Sequence, residues 1–72
     1  MEIIFTTDLS YYNEDWECWV DKAVSLVESC GMYAVIYAEN DTNYENVETF
    51  SIEHAYSYDK AVTIYKNLGG EV

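Results

Sequence analysis

Four carboxylates in the first half of the chain, Glu14, Glu17, Asp21 and Glu28, are spaced three, four and seven residues apart. These are the intervals at which side chains stack on one face of an α-helix. At about 100° per residue, all four fall within a sector roughly 60° wide. Carboxylates one turn apart repeat about every 6 Å along the axis. Lys and Arg lining a phosphate-binding channel can meet that repeat, so the chemistry of such a ridge is that of a polyanion. Like charges at i,i+3 and i,i+4 cost a helix roughly 0.2–0.5 kcal/mol per pair. The ridge therefore opposes folding: either function explains it, or it is the solvated face of a helix in an acidic protein. Asp8, Asp15, Glu39, Asp41, Glu45, Glu48 and Glu53 extend the negative charge along the chain.

The remaining reactive side chains are sparse. His54 is the single histidine, and an acidic surround raises a thiol's pKa, so Cys18 and His54 make a poor nucleophilic pair. One histidine and two cysteines fall short of a structural zinc site, and no metal or cofactor is expected. In the segment 39–46, Glu39, Asp41 and Asn43 alternate like the first ligands of a calcium loop. Tyr44 then stands where that loop needs glycine, and Phe50 where it needs glutamate. Asn40-Asp41-Thr42 is a glycosylation sequon that goes unused without secretion. Eight tyrosines are present, and Tyr11, Tyr12 and Tyr44 lie in polar segments where recognition, not burial, accounts for them.

These residues need elements to position them. The segment 13–31 reads as an amphipathic helix, capped by Asn13 and stopped by Gly31. Its dry stripe holds Trp16, Val20, Ala23, Val27 and Cys30. On that helix Cys18 and Cys30 would sit about 18 Å apart, too far to bridge. Residues 1–7 read as a strand, 32–38 as a central strand apolar on both sides, 39–46 as a loop, and 47–55 as an alternating, half-exposed strand. Ser57 can cap a second helix whose inner stripe is Tyr58, Ala61, Val62, Tyr65 and Leu68, ended by Gly69-Gly70. The expected fold is a two-layer α/β (α+β) sandwich ordered β-α-β-β-α. Its three-stranded mixed sheet, with a parallel pair and an antiparallel hairpin, carries both helices on one face.

The 72 residues make one domain, residues 1–72. Half the composition is hydrophobic, too much for a disordered acidic tail. Fourteen acids against three lysines give a net charge of −11, which argues against direct nucleic-acid or membrane binding and for a strongly basic protein partner. With no secretion signal or long apolar run, a cytoplasmic home is expected.

In size, in charge and in the ridge Glu14, Glu17, Asp21 and Glu28, the chain resembles the small acidic inhibitors that phages make against host defence, the anti-CRISPR and anti-restriction proteins that imitate DNA. That resemblance is one of character and implies a partner with a basic nucleic-acid channel, a CRISPR effector or a restriction enzyme, met in the host bacterial cytoplasm. The expected function is thus non-enzymatic inhibition. Glu14, Glu17, Asp21 and Glu28 stand in for phosphates, Glu39, Asp41 and Glu45 extend the patch, and Tyr11, Tyr12 and Tyr44 supply specific contacts. The alternative is an acidic homodimer or adaptor module that associates through an exposed sheet face.

Overall fold

The computed structural model describes residues 1–41 and 47–72, with the side chains of 1–39 and 51–72. The described residues form five strands and one helix. They are β1 (Glu2–Asp8), β2 (Tyr11–Asn13), β3 (Cys18–Ser29), β4 (Met32–Asp41), β5 (Val47–Ala55) and α1 (Tyr58–Asn67). All the strand pairs are antiparallel, in the order β1-β3-β4-β5, and β2 continues along the same edge of β3 as β1. Where β1 gives way to β2 the ladder is kept by other donors. Leu9 N–H donates to the Lys22 carbonyl at 2.7 Å, and Lys22 N–H to Ser10 Oγ at 3.1 Å.

The helix expected over 13–31 is instead the longest strand, β3, with the loop that leads into it. The two-helix, three-stranded sandwich is thereby overturned, and so is the parallel pair, because β3 lies between β1 and β4 and runs antiparallel to both. Two physical reasons favour the strand. Val20, Val24 and Leu26 are buried on one face with period two, which a sheet satisfies, Val27 is buried on the other face, and β-branched valines fit a pleated surface better than a helix. The extended backbone also draws apart the like charges that a helix would stack.

Several cues keep their chemistry in a different setting. Gly31 has the left-handed backbone expected of it (φ 78°), but as the second residue of a tight hairpin turn beside Cys30 (φ 53°), between the paired Ser29 and Met32. Two consecutive positive φ values between paired strands are the mark of a type I′ turn. Asn13 does use its side chain as a cap. Its Oδ1 accepts from Asp15 N–H at 3.0 Å and Trp16 N–H at 3.3 Å, turning the chain into β3 instead of starting a helix. Cys30, expected on the dry stripe, is exposed, while Cys18 is half-buried, and both thiols are free.

The other strands stand where they were expected, with shifted bounds. Residues 2–7 lie within β1 and 32–38 within β4, 47–55 is β5, and β4 and β5 form an antiparallel hairpin, while Glu39, Asn40 and Asp41, expected in the loop 39–46, continue β4 and residues 42–46 lie outside the described residues. Ser57 caps α1, its hydroxyl accepting from Lys60 N–H at 3.2 Å. Helix α1 lies across one face of the sheet. Ala61 and Tyr65 close over Val24, Leu26, Val35 and Ala55, with Phe5, Leu9, Tyr33 and Leu68 around them. Tyr58 only half joins this stripe, its ring meeting Tyr33 edge-on at 5.9 Å. No helix or strand among the described residues lies across the opposite face of the sheet, where Val27 is nonetheless buried among its neighbours.

Candidate interaction surface

The register of the sheet gathers charge at one end. Strand β3 begins where β4 ends and β5 begins, with Val20 opposite Asp41, Asp21 opposite Asn40 and Lys22 opposite Glu39. Asn40 in turn lies opposite Glu48. This brings seven of the fourteen carboxylate residues to one end: Glu14, Asp15 and Glu17 in the β2–β3 loop, Asp21 and Glu39 on the strands, and Asp41 and Glu48 by backbone position. The loop holds its acids outward by construction. The Asn13 side chain fixes the first half of it, and Glu17, at φ 52°, turns the chain back into β3.

Aromatic rings stand among these acids. Tyr11 pairs with Val20 and Tyr12 with Trp19, so the two tyrosines emerge on opposite faces. On the open face, Tyr12 and Trp19 meet edge to face at 5.7 Å, and Trp19 is 61% exposed. Trp16 stands exposed at the loop. On the helix side, Lys22 is the single cation among the described side chains of this end. Its Nζ lies 5.3 Å from the Tyr37 ring centroid and 5.9 Å from that of Tyr11, and Tyr37 Oη donates to Glu39 Oε2 at 3.4 Å. The Tyr37 hydroxyl, then the charges of Tyr37, Glu39 and Tyr11, hold the Lys22 amine above its ordinary pKa. Lys22 is thus committed to internal contacts, and the outward field of this end is set by carboxylates. At the edge of the open face, Asp8 accepts from Ser10 N–H at 2.9 Å. Hydrogen bonding to Ser10 holds its carboxyl below the usual range and keeps it charged.

The structure brings some of the expected site residues together and leaves others apart. Glu14, Glu17 and Asp21 share the acidic end, but without the regular 6 Å repeat of a helical ridge. Glu28 does not belong. It lies seven residues beyond Asp21, about 23 Å along the strand, half-buried on the helix side opposite Glu2 and Tyr33. Glu39 and Asp41 lie at the acidic end, as do Tyr11 and Tyr12. Tyr44 and Glu45 lie outside the described residues, as does most of the calcium-like segment 39–46. Asp15, Glu48, Trp16 and Trp19 are additions. The signal for Trp19 was present in the alternation Val20, Val24, Leu26, which turns odd-numbered residues of β3 away from the core.

This arrangement offers charge and π-faces to a cation. Among the described residues no three of His, Cys, Asp and Glu are grouped so as to hold a metal ion. No helix among the described residues is long and apolar enough to cross a membrane. Comparison with protein-family models, with curated proteins and with solved structures found no match to this chain.

Proposed function

We propose that the protein is a non-enzymatic inhibitor that inserts the acidic end of its sheet into the basic nucleic-acid-binding surface of another protein. The observation that carries this reading is the clustering itself: Glu14, Asp15, Glu17, Asp21 and Glu39 at one end of an elongated sheet, with Asp41 and Glu48 placed there by register. A channel that holds phosphates by Lys and Arg gains most of its non-specific affinity from charge, and a dense, rigid set of carboxylates competes for the same side chains. Exposed Trp16, Trp19, Tyr11 and Tyr12 add faces on which Arg guanidinium groups stack. The imitation is one of charge density, not of phosphate spacing. Restriction enzymes and CRISPR effectors are the partner class, and the two free thiols suit a cytoplasmic site of action.

The test is a competition. Purified restriction enzymes and CRISPR effectors are bound to labelled DNA, and the protein is titrated in as salt is raised. Displacement of DNA that weakens steeply with ionic strength supports the reading. Both Glu17 and Asp21 are exposed, so the double variant E17K/D21K keeps the fold while losing at least about tenfold in displacement. Equal displacement by the double variant would remove this end of the sheet from the mechanism.

A further inference from the structure

The open face changes character along its length. Beyond the acidic end, two cross-strand rows fill it: Thr6–Ser25–Ile36–Ile52 and Ile3–Val27–Ala34–His54. Neither row contains a carboxylate, in a chain that has fourteen. Ile3 is 62% and Ile52 55% exposed, and a shallow apolar hollow of about 340 Å³ opens between Met1, Val27, Met32, Ala34, Ile36 and Ile52. The alternation in β5 makes the point sharply. Its isoleucine faces outward while Ser51 and Glu53 share the side of buried Ala55. Exposed isoleucines in two adjoining rows that hold no carboxylate are an association surface.

We propose that a second copy of this chain covers that face, related by a two-fold axis that lies in the interface and crosses the strands between the Ile36 and Ala34 rows. Three physical features select a second copy over a foreign protein. First, a partner selected for a chain of −11 charge would be steered by carboxylates, and this face has none in its two central rows. Second, the two rows complement each other under the two-fold. Each row meets the other across the axis, so Ile36 of one copy faces Ala34 of its partner, Val27 faces Ser25 and Ile52 faces His54. Large side chains thus stand against small ones along β3 and β4. Third, the axis sends the acidic ends to opposite poles. The two copies of Asp21 are then about 33 Å apart along the strands, several times the roughly 8 Å Debye length of physiological salt. Repulsion between the acidic ends is screened in this arrangement, and on the open face Asp8, at the edge, is the carboxylate left within the overlap.

The overlap is about seven residues of four strands, about 440 Å² per copy in projection, below the roughly 600 Å² per partner at which standard specific interfaces begin and in the range of weak, transient contacts. A dimer that forms in the micromolar range is the consequence. It leaves both acidic ends free and does not depend on what they bind.

Sedimentation equilibrium on the full chain tests this, from a few micromolar to several hundred micromolar, at about 0.15 M and about 0.5 M NaCl. A monomer–dimer equilibrium that tightens in the higher salt is expected. Ile52→Glu should weaken it at least about tenfold, with an unchanged melting curve because that side chain is already more than half exposed. Ile3→Glu is the second variant, should the first not fold. E17K/D21K should dimerise as well as the parent, which separates this proposal from the inhibitory one. A monomer at every concentration would overturn it, and so would a dimer indifferent to both Ile52→Glu and Ile3→Glu. A face that takes up an apolar dye while the chain stays monomeric would overturn it too, and would assign the face to a foreign partner.

Discussion

The two faces of one sheet are made from the same strands and have opposite fates. On the helix side, Val24, Leu26 and Val35 are wholly buried beneath Ala61 and Tyr65. On the open side, their immediate neighbours along the chain include Ala34 and Ile36, which line the hollow beside Ile52. Among the described residues, one short helix makes the difference. A two-stranded hairpin is marginal in water, and a sheet becomes stable when three or more strands pack a face against something. Here that something is α1, so the stability of the molecule lies on one face and the other is free to evolve for contact.

Tyr65 is where that contrast can be broken outright. Its side chain is completely buried, its ring lies 6.0 Å from that of Phe5, and its hydroxyl pairs with Thr7 Oγ1 on β1. Thr7 Oγ1 also accepts from Glu71 N–H at 3.0 Å, so one ring and one hydroxyl tie helix, edge strand and C-terminal segment together. Tyr65→Ala should cost about 3–5 kcal/mol, as large-to-small changes at buried aromatics do, which is a large fraction of a small domain's total stability. Ile52→Ala on the open face should cost less than about 1 kcal/mol at a concentration where the chain is monomeric. Urea unfolding of the two variants measures both. Similar losses would mean that the open face carries as much of the core as the covered one.

A smaller loss sharpens the same contrast at the edge of the covered face. Gly70 N–H donates to the Tyr65 carbonyl at 2.9 Å, and a Cβ on Gly70 would stand 2.4 Å from the Tyr65 ring. Nothing at that distance fits, so Gly70→Ala must push the ring or unpin the chain end. The expected cost is about 1–3 kcal/mol, read as a fall in melting temperature. A neutral result would show that the C-terminal segment can leave Tyr65 without penalty, and that the ring is held by Phe5 and the core alone.

How much of this was legible depends on which signal each residue sends. Ser57 and Gly69-Gly70 mark α1 because a cap and a left-handed stop are local devices, decided within a few residues. The alternation of 47–55 and the apolar run of 32–38 mark strands for the same reason. Residues 13–31 mislead because their apolar spacing fits period 3.6 and period 2 almost equally well: Val20, Val24 and Val27 serve a helix stripe, while Val20, Val24 and Leu26 serve a strand. What decides between them is non-local, the ten paired positions with β4. The like-charge cost of the supposed ridge was itself a hint, since Glu14, Glu17 and Asp21 are better separated on a loop and strand than on a helix. Of the candidate surface, the acids of the β2–β3 loop and the tyrosines could be picked from composition. Glu48, Trp19 and the exclusion of Glu28 follow only from register, because the face a residue takes in a sheet changes with a slip of one.

The smallest expected effect lies at a point that belongs to neither face. The β3–β4 turn places Cys30 at φ 53°, the left-handed region in which a cysteine has no local compensation, next to a glycine that tolerates it freely. The first position of a type I′ turn favours Asn, whose side chain is at ease there. Cys30→Asn should therefore raise stability by roughly 0.5–1 kcal/mol, or a few degrees in melting temperature for a chain of this size. The exchange gives up only the long Ser29 Oγ to Cys30 Sγ contact of 3.9 Å. It lies away from the acidic end, so DNA displacement should not move. It stands at the hairpin tip and not in the Ile36 and Ala34 rows, so dimerisation should not move either. If stability rises while both associations hold, folding energy and contact surface are separable in this sheet, as the comparison of its faces requires. If dimerisation shifts with the turn, the turn itself is part of the interface and the two-fold axis must sit nearer to Met32.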